Sequence, residues 1–145
     1  RQLPSVQLWV NKWLAAGFNP QQLGIGIAFY SVIWKGASAP MQSISGVTTS
    51  KIRYQDAIKY NESNAASYHW DDTAQVPYLS VDQEGTANDM FITYDDNKSI
   101  IAKFNYVKNN NLGGVIIWEL GDGYRTDVAT GRDNLLQAVK QAASH

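Results

Sequence analysis

Val6, Trp9, Val10, Trp13 and Leu14 recur at i, i+3, i+4, i+7 and i+8, a single apolar stripe at helical period. Ser5 stands before it as an N-cap, and Gly17 falls where a left-handed residue stops a helix. Phe18-Asn19-Pro20 then reads as a loop. Leu23 to Tyr30 runs Leu-Gly-Ile-Gly-Ile-Ala-Phe-Tyr, apolar on both faces, as in a strand of a parallel sheet covered by helices. Its Gly24-Gly26 pair is no dinucleotide loop, because Phe29 replaces the third glycine and the glycines lie inside the strand. They mark places where a neighbouring layer packs close.

From residue 31 to about 88 the pattern changes. Ser, Thr, Asn and Gln are frequent, and only Ile52 to Tyr60 resembles a helix. Tyr68-His69-Trp70 and Val76-Pro77-Tyr78-Leu79 fit short strands around an Asp71-Asp72-Thr73 turn. The stretch is too long for a simple loop and reads as an inserted subdomain. Order then returns: a strand at Met90 to Tyr94, a cap region at Asp95-Asp96-Asn97, and a helix from Lys98 to Lys108 with Ile100, Ile101, Phe104 and Val107 on one face. Asn109-Asn110-Asn111 ends it, Gly113-Gly114 leads into the apolar strand Val115-Ile116-Ile117-Trp118, and a last helix spans Asp133 to Ala143. Buried strands alternating with helices mean α/β with a parallel sheet. Two long apolar strands and one shorter one are too few for a closed (β/α)8 barrel, which takes ~250 residues. Either the sheet is unusually small, with parallel edges to cover, or it belongs to something larger.

The 145 residues suffice for one core, with 44% hydrophobic and 12% aromatic residues arguing against disorder. A formal net charge of -1, with no Lys/Arg cluster, gives no footprint for a phosphate backbone. The longest apolar run is well short of the ~20 residues of a membrane helix. The chain opens at Arg1, without an initiator Met or signal peptide, which suggests residues upstream. With no Cys there is no disulfide framework, zinc cluster or thiol nucleophile. His69 and His145 are too far apart to suggest a metal site, and no G-x-S-x-G elbow supports a Ser-His-Asp site at His69.

Three carboxylate groups are candidates for chemistry: Asp71/Asp72, Asp95/Asp96, and Glu119 with Asp122. The first pair suits a turn and the second an N-cap. Glu119 follows Trp118 at the C-terminal end of a buried strand, the end that faces the active site in α/β barrels; a locally bonded strand-end carboxylate explains it equally well. Trp9 and Trp13 lie on the helix stripe and read as core. Tyr30, Trp34 and Trp118 sit at or just past the ends of the apolar strands, where aromatic faces suit stacking against sugar rings.

Gly26-Ile27-Ala28-Phe29-Tyr30 resembles the strand-7 segment of glycoside hydrolase family 18, the chitinase family. Tyr68 to Tyr78 (Tyr-His-Trp-Asp-Asp-Thr-Ala-Gln-Val-Pro-Tyr) resembles its α+β insertion in bacterial members. Phe91-Ile92-Thr93-Tyr94-Asp95-Asp96 with Ser99-Ile100 and Lys103 is similar to the segment entering helix 7, and Leu112 to Leu120 to the closing strand 8. The motifs come in the family's order and cover nearly the whole chain. The catalytic signature D-x-x-D-x-D-x-E, whose final Glu is the general acid, has no match in the sequence.

The resemblance implies an α/β fold: the C-terminal part of a (β/α)8 TIM barrel, strands 7 and 8 with flanking helices, carrying an α+β insertion, and so an incomplete barrel. Residues 1–30 would be a barrel helix and strand 7, 31–88 the insertion, and 89–145 the strand entering helix 7, strand 8 and the final helix. The implied function is that of a fragment of a chitinase-like glycoside hydrolase contributing the sugar-binding cleft. The whole enzyme would hydrolyse β-1,4-linked N-acetylglucosamine polymers by a substrate-assisted retaining mechanism. Trp118 would be the floor beneath the sugar, Tyr30 would line the same cleft, and Asp56 would be a polar contact on the insertion wall, with Trp34 and Glu119 as further substrate-binding candidates. Many members carry Pro at the position of Ala28 and a Gly-Arg pair after the Tyr; Ser31-Val32 stands here, without the arginine that commonly contacts substrate. No catalytic residue is expected in this chain, which alone should be inactive, and no metal or cofactor. The alternative is a non-catalytic, lectin-like member that binds chitin or another glycan. A free-standing α/β domain of unrelated function is a third reading. Expected partners are chitin or an N-acetylglucosamine-containing oligosaccharide, and either the missing N-terminal part of the barrel or a second copy through open sheet edges; no nucleic acid and no membrane. The family resemblance implies secretion.

Overall fold

The computed structural model describes residues 5–83 and 86–144, so His145 lies outside the described residues. Helix α1 (Val6–Ala15) starts at Ser5, whose Oγ accepts the Leu8 N–H at 3.1 Å, and Gly17 follows it with φ +92°. Strand β1 (Gly24–Ala28) is followed, after the single residue Phe29, by β2 (Tyr30–Lys35). Next come β3 (Thr48–Arg53), α2 (Tyr54–Glu62), β4 (Ser67–Asp71), β5 (Val76–Val81) and β6 (Met90–Thr93). Helix α3 (Asn97–Asn109), β7 (Gly114–Trp118), a 3-10 turn (Leu120–Gly123) and α4 (Asn134–Ala143) complete the chain.

The strands form two sheets. β1 and β7 run parallel, Gly24 opposite Gly114 and Ala28 opposite Trp118. The others form an antiparallel sheet in the order β3-β2-β6-β5-β4. Met90–Thr93, expected as a third strand of the core sheet, instead hydrogen-bonds between β2 and β5 and not beside β1 or β7. β3 carries no strand signal of its own, because Thr-Thr-Ser-Lys-Ile-Arg has a single apolar residue and its pairing with β2 alone defines it.

β1 and β7 are covered on one face only. Ile25 and Ile27 are buried, as is typical of an apolar strand face against helices. Gly24, Gly26, Ile116 and Trp118 share the other face and are largely exposed, apart from Gly114 and Ala28, which are partly covered. The expectation of a strand buried on both faces therefore fails: among the described residues α3 packs on this pair, with Val10 of α1 against Ile25, and Ile116 and Trp118 on the other face are left exposed. A close-packed neighbour exists at Gly24, whose added Cβ would lie 3.4 Å from the Gly114 carbonyl, but none lies within 4 Å of Gly26.

The main core gathers Ile27 and Phe29 with Ile33, Leu79 and Ile92 of the antiparallel sheet, Ala57 of α2, Ile100 and Phe104 of α3, and Leu135 of α4. Phe29 is 1% exposed and joins the two sheets; truncating such a residue costs ~3–5 kcal/mol. A smaller cluster of Val10, Ile25, Val107 and Leu112 seats α1. That seat is narrow. Trp9 and Trp13, read as core from the stripe, are exposed: Lys12 lies over the Trp9 ring at 4.5 Å and Trp13 meets Phe18 edge-on at 5.0 Å. Only Val10 of α1 is buried, because the helix touches the core along one line.

Asp96 caps α3, accepting the Ser99 N–H at 2.8 Å, as the cap region predicts. Its neighbour Asp95 is buried and serves a different role. It accepts from Ser99 Oγ at 2.7 Å, Lys103 Nζ at 2.5 Å and the Ala28 N–H at 3.1 Å, tying α3 to the end of β1. Asp71 closes the β4–β5 turn through the Thr73 and Ala74 N–H groups.

Candidate functional site

Both parallel strands end at one place. Trp118, the last residue of β7, is 63% exposed, and its carbonyl accepts the Phe29 N–H at 3.0 Å. The chain then diverges, entering β2 at Tyr30 on one side and the 3-10 turn at Glu119 on the other. The Trp118–Glu119 peptide is cis. Side chains alternate along β2, so Tyr30, Val32 and Trp34 share a face, opposite to that of Ile33 and the main core. Trp34 lies about 13 Å along the strand from Tyr30 at ~3.3 Å per residue. It is half-buried opposite Phe91, and its indole N–H meets no acceptor among the described residues. The same face carries Tyr78 and His69, ring on ring at 4.9 Å and nearly parallel, with Tyr78 5.1 Å from Phe91. His69 is thus a ladder member stacked on Tyr78.

The two sides are joined by Lys51 of β3. It is the cross-strand partner of Val32, so their side chains share a face. Its ammonium lies 2.6 Å from Asp122 Oδ2, 3.4 Å from Glu119 Oε1 and 4.9 Å from the Tyr30 ring centroid. The bond to Asp122, then Glu119, holds its pKa above the ordinary lysine value, against desolvation. A cation therefore stands beside Tyr30 even though position 32 carries Val. Sequence reasoning missed Lys51, because nothing in a polar six-residue strand marks one lysine before its register is known.

Asp56 is not brought to this place. It accepts from Arg53 Nε at 3.1 Å and lies 3.7 Å from Lys59 Nζ. It lines an open depression of about 440 Å³ with Ile33, Ser50, Ile52 and Tyr60, on the opposite side of the sheet from Tyr30 and Trp34. The structure thus groups Trp118, Glu119 and Tyr30, places Trp34 further along the same wall, and leaves Asp56 behind it.

A second unforeseen group fixes the loop after Glu119. Arg125 is buried, with bonds of 2.5 and 2.7 Å to the two Glu62 oxygens and 2.9 Å to Asp127 Oδ2. Its pKa is raised by Glu62 and then Asp127, and both carboxylates are held below their ordinary values chiefly by Arg125. Gln55 Oε1 accepts from the Thr126 N–H and Oγ at 3.0 Å each. These long-range pairs clamp the loop to α2, and no local pattern announces them.

Chemically, the mouth offers an exposed indole face, a phenol ring and one ammonium held between two carboxylates. Such a set can stack on a ring and hydrogen-bond its oxygens. Among the described residues the two carboxylates there, Glu119 and Asp122, are both paired with Lys51 and do not stand as free groups flanking a bond.

The family model described as "Glycosyl hydrolases family 18" matches residues 4–123. Chitinase A1 of Niallia circulans is 34% identical over 125 residues, covering 78% of this chain and 17% of that protein. Chitinase B of Serratia marcescens is 39% identical over 151 aligned positions, covering 85% of this chain and 30% of its own length. The solved family 18 N-acetylglucosaminidase of Paenibacillus barengoltzii superposes with a TM-score of 0.74 at 31% identity, over 97% of this chain and 39% of that one. The chain spans well under half the length of each. With the family model covering most of it, the chain belongs to glycosyl hydrolase family 18.

Proposed function

We propose that this chain is the portion of a chitinase-like glycoside hydrolase that builds the floor and one wall of the sugar cleft. The parallel pair β1–β7 corresponds to strands 7 and 8 of a (β/α)8 barrel, and the antiparallel sheet with α2 to the α+β insertion. Trp118 is the floor beneath a sugar ring, Tyr30 lines the same subsite, Glu119 borders it, and Trp34 stands further along the wall. Asp56 takes no part in that subsite. The parent hydrolyses β-1,4-linked N-acetylglucosamine polymers outside the cell by the substrate-assisted route, its general acid coming from a part of the barrel beyond these residues. The exposed face of Gly26 and Ile116 is then the interior surface that the remaining strands cover, with Trp118 left open at its end. Relatives named as chitinases support this reading over a non-catalytic lectin.

The observation that carries it is an indole 63% exposed at the end of a parallel strand, in a chain that matches chitinases over most of its length. Its test is calorimetric titration of the chain with chitopentaose, alongside incubation with a chromogenic chitooligosaccharide. Binding without turnover is expected. Turnover by the isolated chain, or no binding, contradicts it.

A further inference from the structure

The antiparallel sheet ends on β4 (Ser67–Asp71), whose outer side no strand covers among the described residues. Its register fixes what that side presents. Trp70 faces Pro77 of β5, which has no N–H to give, so theirs is a pair whose backbone groups point away from each other. At the hairpin end the Asp71 carbonyl turns inward and accepts the Gln75 N–H at 2.8 Å. Alternation then directs the backbone of Ser67, His69 and Asp71 toward β5 and leaves the N–H and C=O groups of Tyr68 and Trp70 facing outward. Among the described residues no backbone bond from outside the ladder reaches these four groups. The edge is also held in place: the Tyr68 hydroxyl donates to Asp96 Oδ2 at 3.1 Å, and Lys98 lies over the Trp70 ring at 3.7 Å. On the opposite face His69 is exposed, with one side of its ring stacked on Tyr78 and the other open at the edge. The far edge of the sheet differs. β3 carries Lys51 and Arg53, and such charges discourage edge pairing; β4 carries only Asp71, at its last position.

We propose that β4 is a pairing edge for a second copy of this chain, joined antiparallel about a two-fold axis through His69. In that register Tyr68 and the partner's Trp70 exchange backbone hydrogen bonds, as do Trp70 and the partner's Tyr68, which satisfies all four outward groups of each copy. His69 meets the partner's His69 across the axis and continues the ring stack begun at Tyr78. Ser67 lies opposite the partner's Asp71, hydroxyl against carboxylate, so no lysine, arginine or carboxylate faces one of its own sign. Pairing β3 with its own copy would instead bring Lys51 and Arg53 of both chains to one seam. Five paired residues are few against the ~1,200 Å² of a stable interface, so the dimer forms only at high concentration. The axis stands perpendicular to the sheet, and both copies therefore turn the Tyr30 face to the same side. On the cleft reading above, two sugar mouths then open toward one polymer; the pairing itself does not rest on that reading.

The test separates this edge from the exposed apolar face at Ile116, so it is made in chains that carry Ile116→Lys. The sequence holds no cysteine, and each one introduced is therefore the sole thiol. His69→Cys sets two thiols opposite each other in a pair with Cα atoms about 4.5 Å apart, within the span of a disulfide. Ser67→Cys sets them about 14 Å apart, four residues of strand from the copy. Oxidised with diamide, His69→Cys gives covalent dimer at least about tenfold faster than Ser67→Cys, whose thiols lie beyond disulfide reach. Sedimentation equilibrium shows monomer and dimer in exchange. His69→Lys, which opposes two ammonium groups at an exposed position, raises the concentration needed for the dimer by about tenfold. Equal cross-linking rates for the two cysteine variants overturn the proposal. So does a monomer at every concentration, assembly beyond the dimer, or a dimer that His69→Lys leaves unchanged.

Discussion

Phe29 and Gly123 are packed so closely that a methyl group at residue 123 would lie 2.5 Å from Phe29 Cδ2. The Phe29 ring is buried among both sheets and cannot swing away. Gly123→Ala should therefore destabilise the chain by about 1–3 kcal/mol, the range for overpacking a tight site. Gly26→Ala, with nothing within 4 Å of the new Cβ, should fall within about 0.5 kcal/mol of wild type. Urea denaturation of both variants checks the contrast; equal effects would refute the packing assignment.

Asp95→Ala should cost about 3–5 kcal/mol, because it strands the Lys103 ammonium and the Ala28 N–H. Asp95→Asn preserves the shape and some hydrogen bonds and should cost less. Lys103→Met in the Asp95→Ala background should recover part of the loss, since no unpaired cation then remains. A double-mutant cycle by denaturation measures this, and strict additivity would show that the two groups do not interact.

The Arg125 clamp sets an acid limit. Glu62 and Asp127 have ordinary values of 4.5 and 3.8, and both are lowered in the folded chain. The folded state thus releases these protons more readily than the unfolded one. The stabilisation is present above the ordinary values and disappears as pH falls through the lowered ones. Arg125→Met should lower the melting temperature at pH 7 and flatten its fall below about pH 4.5. At the alkaline end Tyr94 works in the opposite sense: burial raises its pKa, so stability present below the ordinary tyrosine value is lost as pH rises beyond it. Melting curves at stepped pH read both limbs.

Residues 6–15, 97–109 and 134–143 were legible as helices because each needs only its own periodicity and caps, and Ser5 and Asp96 cap where their spacing places them. β1 and β7 were legible from unbroken apolar runs, and Trp118 from its position at the end of one. What was not legible depends on pairing between distant residues. Met90–Thr93 looks like any core strand until its partners Val32 to Lys35 are known. Lys51 gains its place from Val32 and Asp122, and Asp56, paired with Arg53 and Lys59 of its own segment, lines the depression beside Ile33 and Ile52 instead. Trp9 and Trp13 show the limit of a stripe: periodicity marks which residues share a side, not whether anything covers it.

The open face of the parallel pair should make the isolated chain associate. Ile116 is 62% exposed beside Trp118, and two-stranded parallel sheets leave unpaired edges. Sedimentation velocity should show concentration-dependent assembly that Ile116→Lys reduces. A monomer at all concentrations would contradict this.

The central claim is that Trp118 is the sugar-bearing floor, and its most direct test is Trp118→Ala titrated with chitopentaose. An indole this exposed contributes little to folding, so the melting temperature should stay near that of the wild-type chain. Affinity should fall by about thirtyfold, ~2 kcal/mol, the scale of losing an aromatic anchor. Unchanged affinity in a folded Trp118→Ala chain would contradict the account.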